Sequence, residues 1–217
     1  MPKIIQKDKL NQTLLIQLLP KIRSGDLFKL NTDEIAKLLN ISKATLYRVY
    51  PNKEAIFENF VSGMIEFLKI DKKINLKQTK RNNEEFEHVF FKLFVTELII
   101  SNDFLEKLKI NNPILEQKIT NSLNQQDKKI IEFYVERLNN NQNVNVNPRM
   151  LLIQQQATLQ YMLNPKRMIN GNISIREFIT SFYQLQLKVI GNDSNKNDSI
   201  SPELLDKLMH KLEETLF

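Results

Sequence analysis

The sequence predicts an all-α protein. Three features carry that prediction. Apolar residues recur with a period near 3.6 along most of the 217 residues, glycine occurs four times, and no segment alternates long enough to make a strand. The best alternation, Val144-Asn145-Val146, is short and polar. The glycines (Gly25, Gly63, Gly171, Gly191) form no GxGxxG or GxxxxGK[ST] pattern, which argues against a nucleotide fold built on a glycine-rich loop. Cysteine is absent, so disulfides, thiolate metal sites and cysteine nucleophiles are excluded. A hydrophobic fraction of 41% is enough for a sizeable core.

The elements follow in order. Leu10, Leu14, Leu18 and Ile22 lie four apart on one face of an opening helix. Pro20 inside it predicts a kink or a shortened last turn, and Gly25 is a natural stop. A second helix spans Thr32–Leu39, with Ile35, Ala36, Leu38 and Leu39 inward and Asn31 and Glu34 in capping-box spacing. Asn40-Ile41-Ser42 breaks it, and a short helix runs from Lys43 to Tyr50. After Pro51-Asn52, a helix from Lys53 to about Lys69 carries Ile56, Phe57, Phe60, Met64, Phe67 and Leu68. Asp71–Asn83 is polar and lysine-rich, and reads as a loop. Glu84–Ile100 is apolar on more than one face and reads as a central, buried helix. Helices at Asp103–Ile110, Pro113–Leu138, Pro148–Leu163, Ile173–Ile190 and from Pro202 onward complete the chain. Asn139–Asn147 is an Asn-rich loop, and 191–201 is a low-complexity linker.

Thr32–Leu39 and Lys43–Tyr50, joined by a tight turn, have helix-turn-helix dimensions. At about 100° per residue, Leu46, Val49 and Tyr50 share one side of the second helix. Ala44 and Arg48 point the other way, flanked by Lys43, Thr45 and Tyr47. That outer face suits a major groove. Arg48 and Lys43 can donate to guanine or phosphate, Thr45 and Ala44 can touch thymine methyls, and Tyr47 can reach a phosphate. Lys53 sits in the first turn of its helix, where the macrodipole disfavours a cation by about 0.3–1 kcal/mol. A phosphate at that helix start reverses the sign, with Asn52 as the cap.

Ile35-Ala36 and the run Ile41-Ser42-Lys43-Ala44-Thr45-Leu46-Tyr47-Arg48-Val49-Tyr50-Pro51-Asn52-Lys53-Glu54-Ala55-Ile56 resemble the DNA-binding signature of the TetR/AcrR family of bacterial transcriptional regulators. The resemblance covers about Asn31 to Phe60. It departs from the family pattern at Asn40 and Ala44, where glycine is usual, and at Tyr50, where phenylalanine is usual. It implies that Lys43–Tyr50 is the recognition helix. It places Thr32, Tyr47 and Lys53 where the family meets phosphate, and Ser42, Lys43, Ala44, Thr45 and Arg48 in the groove. It also implies an amino-terminal three-helix bundle at 1–52, followed at 53–217 by a larger helical effector-binding and dimerisation region. The expected function is a ligand-responsive repressor that binds a near-palindromic operator in double-stranded DNA as a homodimer. The alternative is a helical interaction module of the same fold that grips a protein partner.

Charge agrees with the first reading. Residues 1–60 hold ten Lys/Arg and six Asp/Glu, and account for most of the net +6. Phe90, Phe94 and Met64 are candidates to line a pocket for a small-molecule effector. Leu152, Leu159, Phe178, Phe182 and Leu185, on the two helices after Pro148, are candidates for the dimer contact, by analogy with the family. His88 lies one turn from Glu84, but with His210 far away no metal set forms, and neither metal nor cofactor is expected. No Ser/His/Asp order or paired-carboxylate motif stands out, so the chain reads as a regulator and not an enzyme. No apolar stretch has signal-peptide or membrane-spanning length, so a cytoplasmic protein without membrane contact is expected. Nothing in the sequence assigns a role to the terminal helix at 202–217.

Overall fold

The structure is a computed structural model that describes residues 16–70, 83–139, 145–164, 173–190 and 199–216. Leu10, Leu14, Gly171, Gly191 and most of the segments read as loops at 71–83, 139–147 and 191–201 lie outside those residues. The described residues are helical and contain no strand. Helix α1 covers residues 16–23 and precedes a single 3-10 turn, Asp26–Lys29. Then come α2 (Thr32–Leu38), α3 (Lys43–Val49), α4 (Lys53–Leu68), α5 (Asn83–Ile99) and α6 (Asn102–Asn111). The chain continues with α7 (Pro113–Asn139), α8 (Pro148–Met162), α9 (Ile175–Val189) and α10 (Pro202–Leu216).

Capping sets the boundaries. Helix α1 passes through Pro20 and stops three residues later, where Gly25 takes φ +65° and its amide donates to the Ile22 carbonyl at 2.8 Å. Ser101 caps α6 by accepting from the Phe104 amide at 3.1 Å. Ser174 caps α9 in the same way at the Glu177 amide, so that helix begins two residues after Ile173.

The helices divide into two compact units. The first holds the described residues of Met1–Lys69, Ile99–Leu123 and Glu213–Phe217. Its extent differs from a boundary at residue 52, and the reason is a shared core. Ile56 and Phe60 of α4, Phe104 and Leu108 of α6, and Leu115 and Ile119 of α7 pack in one cluster with Leu18, Ile22, Ile35 and Leu46. Phe28 stacks on Phe57 at 5.1 Å and on Phe104 at 6.0 Å. Each such buried side chain contributes about 1.5–3 kcal/mol. The Ser101 hydroxyl donates to the Arg23 carbonyl at 2.7 Å and the Lys107 ammonium to the Ser24 carbonyl at 2.8 Å, which ties α6 to the end of α1.

The second unit holds the described residues of Ile70–Leu98 and Asn124–Leu212. Helix α5 is buried around most of its circumference, as the sequence predicts, through Phe86, Val89, Phe90, Leu93, Phe94 and Val95. Phe86, Phe90, Phe178, Phe182 and Tyr183 form a continuous aromatic cluster between α5 and α9, with centroids 5.0–6.0 Å apart. Helix α8 is held by glutamine amides. Gln155 accepts from the buried Tyr134 hydroxyl of α7 and donates to Gln186 of α9 at 2.8 Å. Gln160 donates to Glu97 of α5 at 2.8 Å and Gln156 to Asp127 of α7 at 3.0 Å.

Partial burial holds the Asp127 carboxyl above its usual pKa, against the lowering effect of the Gln156 hydrogen bond. A carboxyl raised in the folded state favours folding most below its unfolded value of 3.8, and that contribution is lost as pH rises through the folded value. Asp127→Asn keeps an acceptor for Gln156 and removes the charge. It is expected to stabilise the protein at pH 7 by no more than about 1 kcal/mol, since the group keeps some solvent. The gain should vanish in thermal melts run below the unfolded pKa. A gain that persists there would contradict the assignment to charge.

Candidate nucleic-acid interface

Helices α2 and α3 and the turn between them are built by local hydrogen bonds. Asn31 Oδ1 accepts from the Asp33 and Glu34 amides, both at 3.0 Å, and Glu34 Oε2 accepts from the Asn31 amide at 2.7 Å. This is the capping box the sequence predicts. At the other end of α2 the Asn40 amide donates to Lys37 O and the Ile41 amide to Ala36 O, both at 3.0 Å. That pair of bonds is a Schellman closure, and it needs a left-handed residue at its centre. Asn40 supplies it with φ 51° in place of glycine, at modest cost because its side chain is short and polar. Ser42 then caps α3 by accepting from the Thr45 amide at 3.1 Å.

The two sides of α3 separate as the helical wheel requires. Leu46 is 1% exposed, Tyr50 3%, and Val49 is half-buried, so the inner side is locked into the core. Burial pushes the Tyr50 phenol up to about 12, so it stays neutral there. Lys43, Ala44, Tyr47 and Arg48 are exposed, and Thr45 is half-buried. Among the described residues no carboxylate pairs with Arg48. The Ser42 and Thr45 hydroxyls lie 2.9 Å apart, and the Thr32 and Tyr47 hydroxyls 3.1 Å apart. The second pair joins the start of α2 to the outer side of α3, so two groups expected at phosphate stand together.

Two contacts were not legible in advance. The Lys43 ammonium lies 2.8 Å from Asp33 Oδ1 and 2.9 Å from Oδ2. The Lys53 ammonium donates to the Phe28 carbonyl at 3.0 Å and sits 5.5 Å over the Phe57 ring. Lys53 therefore compensates its position at a helix start by folding back onto the end of the 3-10 turn. Asn52 caps α4 as expected, accepting from the Ala55 amide at 2.8 Å.

The other candidate residues take different places. Met64 belongs to the core of the first unit. Phe90 and Phe94 belong to the second, where both are buried and in ring contact at 6.3 Å. Gln126 lies two hundredths exposed in the same unit; it accepts from Thr96 at 3.2 Å, and its Nε2 meets no acceptor among the described residues. Of the residues read as dimer contacts, Leu152, Leu159, Phe178 and Phe182 are buried within the second unit, and Leu185 is 54% exposed. The correction has a simple cause: the stronger apolar side of α8 and α9 fills their own unit. The outward side of α8 instead carries Met150, Ile153, Ala157 and Tyr161, at helical spacing. Among the described residues no cluster of His, Asp or Glu gathers to hold a metal ion, and no helix is long and apolar enough to cross a membrane.

Residues 28–60 match the family model described as bacterial regulatory proteins, tetR family. A solved structure, a transcriptional regulator of the TetR/AcrR family from Thermobifida fusca YX-ER1, is similar with a TM-score of 0.51. That likeness covers 87% of this chain and 100% of the other at 13% identity, and it is a likeness of fold. No curated protein matches the chain in sequence.

Proposed function

We propose that this chain, which belongs to the tetR family of bacterial regulatory proteins, is a ligand-responsive repressor that reads a near-palindromic operator with α3. The observation that carries the reading is the division of α3. Its inner side is fixed by Leu46 and Tyr50, and its outer side presents Lys43, Ala44, Tyr47 and Arg48 to solvent. A rigid short helix with cations and hydroxyls outward is what major-groove readout requires. TetR regulators bind DNA, typically as dimers. The outward stripe Met150, Ile153, Ala157 and Tyr161 on α8, with Leu185 on α9, is the surface we assign to the second subunit. Two recognition helices then meet half-sites about one DNA turn, ~34 Å, apart. The effector acts by favouring one of two separations of those helices, with α4 as the moving link. The protein works in the cytoplasm and does no catalysis.

Fluorescence anisotropy with duplex from the gene's own upstream region tests the reading, with salt varied and stoichiometry measured. Two subunits per duplex and submicromolar binding are expected. Binding to protein partners with no affinity for any duplex would replace it. Lys53→Ala refines the test. It is expected to weaken binding to all duplexes alike and to lower the salt slope by about one, because an ammonium that reaches phosphate releases one counterion. The same change removes a hydrogen bond and a cation–π contact, a cost of about 1–2 kcal/mol, and regains about 0.3–1 kcal/mol at the helix start. An unchanged salt slope would leave Lys53 with its structural role alone.

A further inference from the structure

Asp33 has no capping duty. Asn31 and Glu34 satisfy the start of α2 between them, and Asp33 contributes only its backbone amide to that arrangement. Its carboxylate is spent on Lys43, whose ammonium is nearly equidistant from both oxygens. Both side chains are about half exposed, and an exposed ion pair of this kind contributes little to stability. The hydrogen bond to Asp33 raises the Lys43 pKa above its ordinary value, so the ammonium stays charged through the physiological range. What the pair does is cancel a cation at the very start of the recognition helix and fix where its ammonium sits.

We propose that Asp33 is a specificity-determining residue: its carboxylate holds Lys43 off the phosphate backbone and leaves a hydrogen-bond acceptor beside the groove. The inference rests on the reading that α3 enters the groove, and it adds a residue that reading lacks. Three consequences follow, two from charge and one from hydrogen bonding. Non-specific binding comes from cations neutralising phosphates, so a cancelled Lys43 weakens binding to any duplex. A carboxylate at the interface repels phosphates wherever the helix is out of register. In register it can accept from a cytosine N4 amino group while Lys43 donates to a guanine edge, which restores the interaction at one sequence only.

The test uses the full-length protein, a duplex selected by the wild type from a random library, and a shuffled duplex of the same composition. Asp33→Asn is expected to bind the shuffled duplex about threefold to tenfold tighter, with a salt slope steeper by about 0.9, the value for one more phosphate contact. Affinity for the selected duplex should change less, so the ratio between the two falls. In a Lys43→Gln background the same Asp33→Asn change frees no cation, so it should leave out the part of the gain and of the slope change that Lys43 supplies and keep only the smaller gain from lost carboxylate–phosphate repulsion. An Asp33→Asn protein with unchanged slope, with equal gains on both duplexes, or with the same gain when Lys43 is absent would overturn the proposal. Circular dichroism melts of each variant verify that it is folded. A wild type that selects no duplex at low salt would overturn the DNA-binding reading itself, a result distinct from any of these.

Discussion

Replacing Gln155 by leucine is expected to lower the unfolding free energy by about 3 kcal/mol, and Tm by roughly 6–12 °C for a chain of this length. Gln155 is 1% exposed and joins three helices. Its Oε1 accepts from the Tyr134 hydroxyl of α7, and its Nε2 donates to Gln186 Oε1 of α9 at 2.8 Å. Leucine has nearly the right volume, so the cavity term is small. The loss comes from the two polar groups left behind, each costing about 1–3 kcal/mol when buried without a partner. Burial holds the Tyr134 phenol well above its ordinary pKa, so it remains a proton donor and the effect should not vary with pH around neutrality. A second substitution separates this account from plain packing loss. Tyr134→Phe in the Gln155→Leu background removes one orphaned hydroxyl, so the double variant should melt above the single one. A double variant that melts lower, by the sum of the separate losses, would show that packing dominates.

That network marks the line between what the chain order reveals and what it hides. Local features were legible. The capping pairs Asn31/Glu34 and Asn52/Ala55, the left-handed Asn40 and the stop at Gly25 each involve residues within a few positions of one another. The inward Leu46 and Tyr50 followed from helical spacing. The contacts that escaped are separated along the chain: Lys43 and Asp33 by 10 residues, Tyr134 and Gln155 by 21, Lys53 and Phe28 by 25, Gln155 and Gln186 by 31. A periodicity says which side of a helix turns inward and leaves open what it meets there. Gln155 did leave a trace, since it falls on the apolar stripe of Leu151, Leu152 and Leu159, where an amide needs a buried partner. The dimer residues show the same limit. Apolar character predicted that Leu152, Leu159, Phe178 and Phe182 would be covered, and they are covered by their own unit. The exposed Met150, Ile153 and Tyr161 belong to a second, weaker stripe that a single-face reading of α8 passes over. The boundary at residue 52 falls short for a related reason. A break at Pro51-Asn52 ends a helix, whereas Ile56 and Phe60 beyond it complete the core beneath α3.

Arg48→Ala carries the largest expected effect on recognition, and it should leave the fold untouched. The guanidinium is exposed, stands opposite Leu46 on α3, and among the described residues pairs with no carboxylate. Its loss should shift stability by no more than about 0.5 kcal/mol, the usual range for a surface change. On DNA, a bidentate contact to guanine is worth about 1–3 kcal/mol of discrimination, so affinity for the selected duplex should fall roughly fivefold to 150-fold per recognition helix. Affinity for a shuffled duplex should fall far less, because only a phosphate contact is lost there. This pattern is the inverse of that expected for Lys53→Ala, which weakens all duplexes alike and lowers stability through the Phe28 carbonyl and the Phe57 ring. It is also the inverse of Asp33→Asn, which strengthens the shuffled duplex. The three substitutions together separate base reading, backbone anchoring and charge cancellation on one surface. Equal losses on selected and shuffled duplexes with Arg48→Ala would move Arg48 from the base edges to the backbone, and would leave Lys43, oriented by Asp33, as the reader of sequence.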